Sequence, residues 1–244
     1  LYFSIFFIIG TIKKNNGLVD IAWGMGFVIV SWFSVLRNLP LFPFAKVTMA
    51  ILLSFWGMRL AHHLFLRNAG KPEDFRYVNF RNNWKKLFLL RAFFQIYMLQ
   101  ALFQFMIVLP VILPHKANVT PNLPLFFIGL GLFGIGFLFE SLGDSQLKQF
   151  KSDPENKGKI MDQGLWRYTR HPNYFGETVI WWGLVLIAFS GGVSFLALIS
   201  PITITLLLLF LSGVPMLEKA MKAKPGYAEY ARKTSIFFPL PPKK

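Results

Sequence analysis

Glu140 and Asp144 stand four residues apart inside an apolar stretch, so on a helix their side chains share one face. Two carboxylates so placed repel each other unless something separates them. They suit a polar wall that accepts hydrogen bonds from a ligand's hydroxyls or amides; the plainer alternative is a helix end with Asp144 paired to Lys148. Residues 164–177, GLWRYTRHPNYFGE, form a second cluster. Pro172 suits a first helical turn, where it has no N–H to lose. Asn173 and Glu177 then share a face with Trp181, and Arg167, Arg170 and His171 bring cations to the partially positive helix start, an anion site. The alternative is an interfacial anchor in which the Arg side chains snorkel and Trp166 and Tyr168 lie at headgroup level. Glu177, an acid inside an apolar run beside three cations, favours the ligand reading. A third group runs through Trp56, Arg59, His62, His63, Arg67, Glu73, Asp74, Arg76 and Tyr77. Arg59 and His63 are helical neighbours, whereas His62 and His63 point about 100° apart and do not ligate one metal together. With four His and no Cys, neither a metal centre nor a thiolate nucleophile is expected. The Glu73–Arg76 stretch reads as a solvated salt-bridge surface.

The elements that carry these groups are apolar. Of 244 residues, 54% are hydrophobic and only 15% charged, against about 25% charged in a soluble domain. The net charge of +15 would suit nucleic acid, but residues 178–217 hold no Asp, Glu, Lys or Arg, which no nucleic-acid-binding domain carries. Only helices and closed barrels span lipid, and the barrel's ten-residue alternation is missing. The chain reads as an all-α, polytopic integral membrane protein of about seven transmembrane helices, near residues 1–12, 17–36, 41–60, 87–113, 122–143, 173–190 and 194–217. It opens on Leu1, so a few residues are expected to precede it. Gly129, Gly131 and Gly134 match G-x-G-x-x-G, but no strand precedes them; Gly134 and Gly136, like Gly24 and Gly26, suit close helix packing. Ser212, Gly213 and Pro215 predict a kink, and the tail after it a basic surface helix attracted to anionic lipid, or a pair of tyrosines closing over a cavity.

With these spans, 23 of the 26 Lys and Arg fall on one side and only Arg37, Lys46 and Lys116 on the other. The positive-inside rule then places the N-terminus outside and the C-terminus in the cytosol. Asp20, Glu140, Asp144 and Glu177 lie at or within the cytosolic ends of spans, where a charge is costly unless it faces a cavity or a partner. They predict a polar cavity open to the cytosol.

The segments GLVDIAWG (17–24), WGMRL (56–60), EDFRY (73–77), GLWRYTRHPNYFGE, SGVPMLE (212–218) and GYAEYARKTSIFFP (226–239) together resemble the steroid 5-alpha-reductase superfamily, closest to its bacterial multi-span branch. RHPNY is shared with isoprenylcysteine carboxyl methyltransferases. The resemblance covers nearly the whole chain and implies one membrane-embedded domain, 1–244, with its cofactor-binding half at about 122–244. It implies an inner-membrane enzyme that uses NADPH to reduce a carbon–carbon double bond in a lipophilic steroid-, sterol- or isoprenoid-like substrate, with no nucleic-acid partner. The implied cofactor residues are Glu140, where steroid reductases carry Asn, Asp144, Asn173, Glu177, Tyr230 and Arg170, with Arg167 and His171 beside them. Trp56 occupies the place of a proton-donating Tyr, and Asp20 is the nearest acid to the family's catalytic Glu. His62, Tyr77 and Tyr174 are the replacement donors. The alternatives are a methyltransferase using S-adenosylmethionine on a lipid-like acceptor, and a non-catalytic membrane protein.

Overall fold

A computed structural model describes residues 1–38, 43–68, 70–115 and 120–243. The start of the third expected span at 41 and the cations Lys116 and Lys244 lie outside the described residues. Among the described residues twelve α-helices follow in order: α1 (Tyr2–Ile12), α2 (Leu18–Leu36), α3 (Phe44–Asn68), α4 (Phe75–Trp84), α5 (Phe88–Ala92), α6 (Leu99–Ile107), α7 (Leu109–Ile112), α8 (Leu123–Ser152), α9 (Pro172–Ser190), α10 (Ile199–Leu206), α11 (Val214–Met221) and α12 (Tyr227–Lys233). Among the described residues there is no strand, only an isolated bridge between Thr169 and Ser235.

Among the described residues five stretches are long and apolar enough to cross a membrane: Leu18–Leu36, Phe44–Asn68, Phe75–Ile107, Leu123–Ser152 and Phe195–Met221. Their exposed residues include Phe33, Phe55, Phe105, Phe127 and Phe210, as expected of an integral membrane protein whose outer solvent is hydrocarbon. α1 is apolar but spans only 11 residues.

The chain divides into two compact units, 1–121 with 191–197, and 122–190 with 198–244. In the first, α2 and α3 meet at Gly24 and Gly57, where a Cβ on either would come within 2.6 Å of the other's carbonyl oxygen. Trp56, fully buried, packs edge-on against Phe27 with ring centres 5.5 Å apart. Gly26 faces the Gln104 side chain, whose Nε2 donates to the Trp23 carbonyl.

In the second unit α8 and α9 lie against each other along a glycine seam. An added Cβ would stand 2.7 Å from the Gly183 carbonyl oxygen at Gly129, 2.5 Å from that of Gly176 at Gly136, and 3.1 Å from Pro172 at Gly143. Small residues let membrane helices approach this closely. Gly131 and Gly134 meet nothing within 4 Å, so the packing role expected of Gly134 belongs to Gly129, Gly136 and Gly143 instead. α8 starts at the Asn122 cap, whose side chain accepts from the Leu125 N–H. It runs on to Ser152, past the end expected at 143, and stops before Asp153-Pro154, because the residue preceding proline disfavours helix. The expected kink is a full break: the Ser212 N–H turns back to the Leu207 carbonyl, and a Cβ on Gly213 would sit 2.5 Å from the Leu208 oxygen.

Candidate functional site

The segment before α9 is fixed from both sides. Gly164, at φ +57°, lets the chain turn so that the Leu165 N–H reaches Gln146 Oε1 at 3.0 Å, and Trp166 Nε1 donates to the Gly143 carbonyl at 3.0 Å. On the other side Thr169 Oγ1 donates to the Phe237 carbonyl at 2.8 Å, the Arg170 N–H to Ser235 at 2.9 Å, and the Tyr230 hydroxyl to the Trp166 carbonyl at 2.6 Å. The carboxy-terminal helix and tail thus brace the RHPN segment against the end of α8.

Within this frame Glu218 of α11 holds two neighbours at once. Its Oε1 lies 2.9 Å from His171 Nε2 and 3.1 Å from Arg170 Nε, while Arg170 Nη1 donates to the Ala231 carbonyl at 2.7 Å. The Arg170 guanidinium also stands 6.0 Å from the Tyr227 ring centre. Burial, followed by the Arg170 charge, pushes the His171 imidazole below its ordinary value against the opposing pull of Glu218. The ring is therefore neutral, donates through Nε2, and leaves Nδ1 buried without a partner. Tyr174 stacks on it with ring centres 5.6 Å apart. Burial raises the hydroxyls of Tyr227 and Tyr230 above their ordinary values, with Glu218 adding to the effect at Tyr227. Glu218 gave no signal in sequence: it follows a helix break, 47 residues from His171, in what reads as a surface helix.

Along α8 and α9, Asn173 Nδ2 donates to Asp144 Oδ1 at 3.2 Å. Asn173 Oδ1 is buried and has no hydrogen-bond partner. Glu140 is 3% exposed beneath Gly176, and Glu177 is half-buried one turn beyond Asn173. Arg167 and Tyr230 line an open cleft of about 800 Å³ together with Lys159, Asp162, Glu229 and Lys233. That volume falls within the range of ligand sites.

In the first unit the reading of 73–76 as solvated salt bridges is replaced by an organised network. Asp74 caps α4 through the Arg76 N–H; Arg76 Nη2 reaches Asp20 Oδ2 at 2.8 Å, and the buried Tyr77 hydroxyl donates to Asp20 Oδ1 at 2.8 Å. Burial raises Asp74, but the hydrogen bonds and charge of Arg76 outweigh it and hold the carboxyl below its ordinary value. Glu73 accepts from Asn16 at 2.7 Å and pairs with Arg81 at 3.1 Å, and the Tyr97 hydroxyl donates to Asn16 Oδ1. His62 is exposed on α3. No group of three or more His, Asp or Glu among the described residues is arranged to hold a metal ion.

Residues 6–234 match a family model described as a protein of unknown function, DUF1295. The chain belongs to the DUF1295 family, within the steroid 5-alpha-reductase superfamily. This DUF1295 member is 28% identical over 267 residues to an uncharacterized protein of Schizosaccharomyces pombe, covering 93% of this chain and 73% of that one. Over 69 residues it is 39% identical to a probable O-methyltransferase of Ustilaginoidea virens, and over 67 residues 36% identical to human 3-oxo-5-alpha-steroid 4-dehydrogenase 1. Each short match covers 28% of this chain and about a quarter of the relative, 24% and 26%. No solved structure matches the chain.

Proposed function

We propose that this DUF1295 member is a membrane-embedded, NADPH-dependent reductase of a carbon–carbon double bond in a lipophilic steroid-, sterol- or isoprenoid-like substrate. The proposal includes seven spans, with α1 and α9 joining the five long apolar stretches, the N-terminus outside, and the cofactor site opening to the cytosol of a bacterial inner membrane from the half at 122–244.

The observation that carries the reading is Asn173. Its Oδ1 is a buried acceptor without a donor, beside Asp144 and near the acids Glu140 and Glu177. An unpaired buried acceptor costs about 1–3 kcal/mol, which a ligand N–H or O–H recovers on binding. A nicotinamide nucleotide carries both, in its carboxamide and its riboses. Its phosphates suit the cleft lined by Arg167 and Lys159, with Tyr230 as a fixed wall. Arg170 and His171, both held by Glu218, orient the segment that leads into Asn173.

Reduction of the double bond takes one hydride and one proton. Bound NADPH supplies the hydride. The proton is assigned to this chain, and of His62, Tyr77 and Tyr174 the best supported donor is Tyr174, which lies in the same unit as Asn173 and stacks on His171. Trp56 is buried against Phe27 and its indole offers no acid.

A second reading, an S-adenosylmethionine-dependent methyltransferase, is favoured by the match to the probable O-methyltransferase. The same carboxylates would receive that cofactor's ammonium. Arg167 and Lys159 count against it, since a sulfonium cofactor brings no phosphate to meet them. Purified protein is expected to gain thermal stability with NADPH and none with S-adenosylmethionine, and Asn173→Ala to lose the gain. Stabilisation by S-adenosylmethionine alone replaces the first reading with the second.

A further inference from the structure

Lys46, in the first turn of α3, is only 1% exposed, and among the described residues no other Lys or Arg is buried. Its Nζ donates to Ser34 Oγ of α2 at 3.2 Å, and Ser34 Oγ in turn donates to the Val111 carbonyl of α7 at 3.1 Å. Three helices thus close around one ammonium group. A lysine near the end of a span ordinarily lays its alkyl stem on apolar surface and keeps its head in water; here stem and head are both covered. The acids of the first unit cannot answer the charge. Asp20, Glu73 and Asp74 are held by Arg76 and Arg81, and Asp20 stands about 20 Å from Ser34 along α2 at a rise of about 1.5 Å per residue.

His115 stands close enough for the Lys46 charge to act on it. Its Nδ1 lies 3.0 Å from the Leu113 carbonyl and so carries the proton, while Nε2 is buried without a hydrogen-bond partner. Burial first, then the Lys46 charge, holds the ring down at about 4, so it is neutral near pH 7 and adds no second positive charge. The start of the 25-residue α3 is itself partially positive, which raises the cost of the ammonium and the attraction for an anion together. A buried charge bonded only to a neutral hydroxyl is costly until a group of opposite sign meets it, and within a spanning segment such a residue marks a ligand or ion site.

The surroundings define the anion. Phe33 and Leu36, flanking Ser34 on α2, and Phe44, two residues before Lys46, are all exposed and form apolar surface of the kind that meets hydrocarbon. We propose that Lys46 binds the carboxylate of a lipophilic acid of the fatty-acid type, whose alkyl chain lies along Phe33, Leu36 and Phe44. A carboxylate is a single charge at the end of a chain, which matches one ammonium and enters end-on. The phosphodiester of a phospholipid carries a substituent on each side and cannot be buried in that way. A phosphate monoester brings a second negative charge that neutral His115 does not meet. The site lies in the first unit and is independent of the reductase reading.

The test uses the full chain purified in neutral detergent at about pH 8, where a carboxylic acid is ionised. Dodecanoate, dodecanol, acetate or dodecyl phosphate is added at equal concentration, and binding is read by thermal unfolding and native mass spectrometry. Dodecanoate is expected to raise the unfolding temperature and to remain bound as a single adduct, and dodecanol and acetate to do neither. Lys46→Met keeps the length of the side chain without its charge and should weaken dodecanoate binding at least about tenfold. Its ligand-free form should unfold at the same or a higher temperature, because the unanswered charge is gone. Arg37→Met, which removes an exposed cation at the same end of α2, should leave binding within about twofold. Equal binding of dodecanol, tighter binding of dodecyl phosphate, or equal stabilisation by acetate overturns the proposal on the unaltered chain, whether or not a variant folds. So does equal weakening in the two variants, and so does a ligand-free Lys46→Met that unfolds at a lower temperature, which would make the lysine structural.

Discussion

Gly136→Ala, read against Gly134→Ala, tests whether the glycine seam positions the proposed cofactor residues. At Gly136 a new methyl group would meet the Gly176 carbonyl oxygen at 2.5 Å and the Ile180 nitrogen at 2.7 Å, both rigid backbone of α9. Bringing the nearer contact to an ordinary 3.4 Å moves the helices apart by about 0.9 Å. Overpacking of that kind costs about 1–3 kcal/mol, and because backbone cannot swing aside the upper part of the range applies. Alanine returns about 0.5–1 kcal/mol by stiffening the unfolded chain. The net loss is on the order of 1–2 kcal/mol, or about 2–8 °C for a chain of this size. At Gly134 no atom lies within 4 Å, so only the gain remains and the unfolding temperature should rise by about 1–4 °C. Thermal unfolding followed by tryptophan fluorescence reads both variants. The seam also sets the 3.2 Å contact between Asp144 and Asn173, so Gly136→Ala should lose much of its stabilisation by NADPH while Gly134→Ala keeps it. Equal destabilisation by the two alanines would refute the packing argument. A destabilised Gly136→Ala with undiminished NADPH response would separate the seam from the site.

Glu218→Gln removes the charge that Arg170 and His171 share, and should cost about 1–3 kcal/mol in denaturant unfolding; no change would make the cluster incidental. His115 and His171 both titrate below their ordinary value: burial first and then Lys46 push His115 down to about 4, and burial lowers His171. The unfolded chain therefore binds more protons, so stability is full above about pH 6.5 and falls as the pH drops toward 4. His115→Gln should flatten part of that fall in a pH series of unfolding temperatures. Tyr77→Phe deletes one hydrogen bond to Asp20 and should cost about 1 kcal/mol of stability without abolishing turnover, whereas Tyr174→Phe should abolish it. Full activity in Tyr174→Phe would reassign the proton to Tyr77 or His62.

The helices were legible because lipid demands long apolar runs, which composition reveals; their ends were not. α3 continues to Asn68 through Arg59 and His62, and α8 to Ser152 through Asp144 and Lys148, because a charged side chain at a helix end can reach water without breaking the backbone pattern. The segment expected at 87–113 begins as helix at Phe75, where Asp74 supplies a cap, turns at Lys85 with φ +45°, and passes through a π-helical turn at Phe93–Met98. None of those irregularities has a signature in a run of Leu and Phe. The candidate site was legible where polarity conflicts with surroundings, as at Glu140 and Glu177. It was illegible where the partner is remote in sequence. Glu218 looks like any acid of a surface helix until the fold brings it to His171, and Gly134 looks like Gly136 until one of them faces a neighbour.

The two polar clusters differ in a way that bears on which one awaits a ligand. Around Asp20 every group finds a protein partner: Arg76 and Tyr77 on Asp20, Asn16 and Arg81 on Glu73, and Tyr97 on Asn16. A network closed on itself rigidifies the junction of α2 and α4 and needs nothing more. Along α8, α9 and the RHPN segment the pattern is the reverse. Asn173 Oδ1, His171 Nδ1, Ser141 Oγ and Thr178 Oγ1 are buried without hydrogen-bond partners, in one compact unit. Each such atom costs about 1–3 kcal/mol, which a bound group offering the matching donor or acceptor would offset. Ligand occupancy therefore should stabilise the second unit far more than the first. Hydrogen exchange with and without NADPH should show added protection over 140–180 and little over 16–20 and 73–77. Protection spread evenly over both, or confined to the first, would move the cofactor away from Asn173.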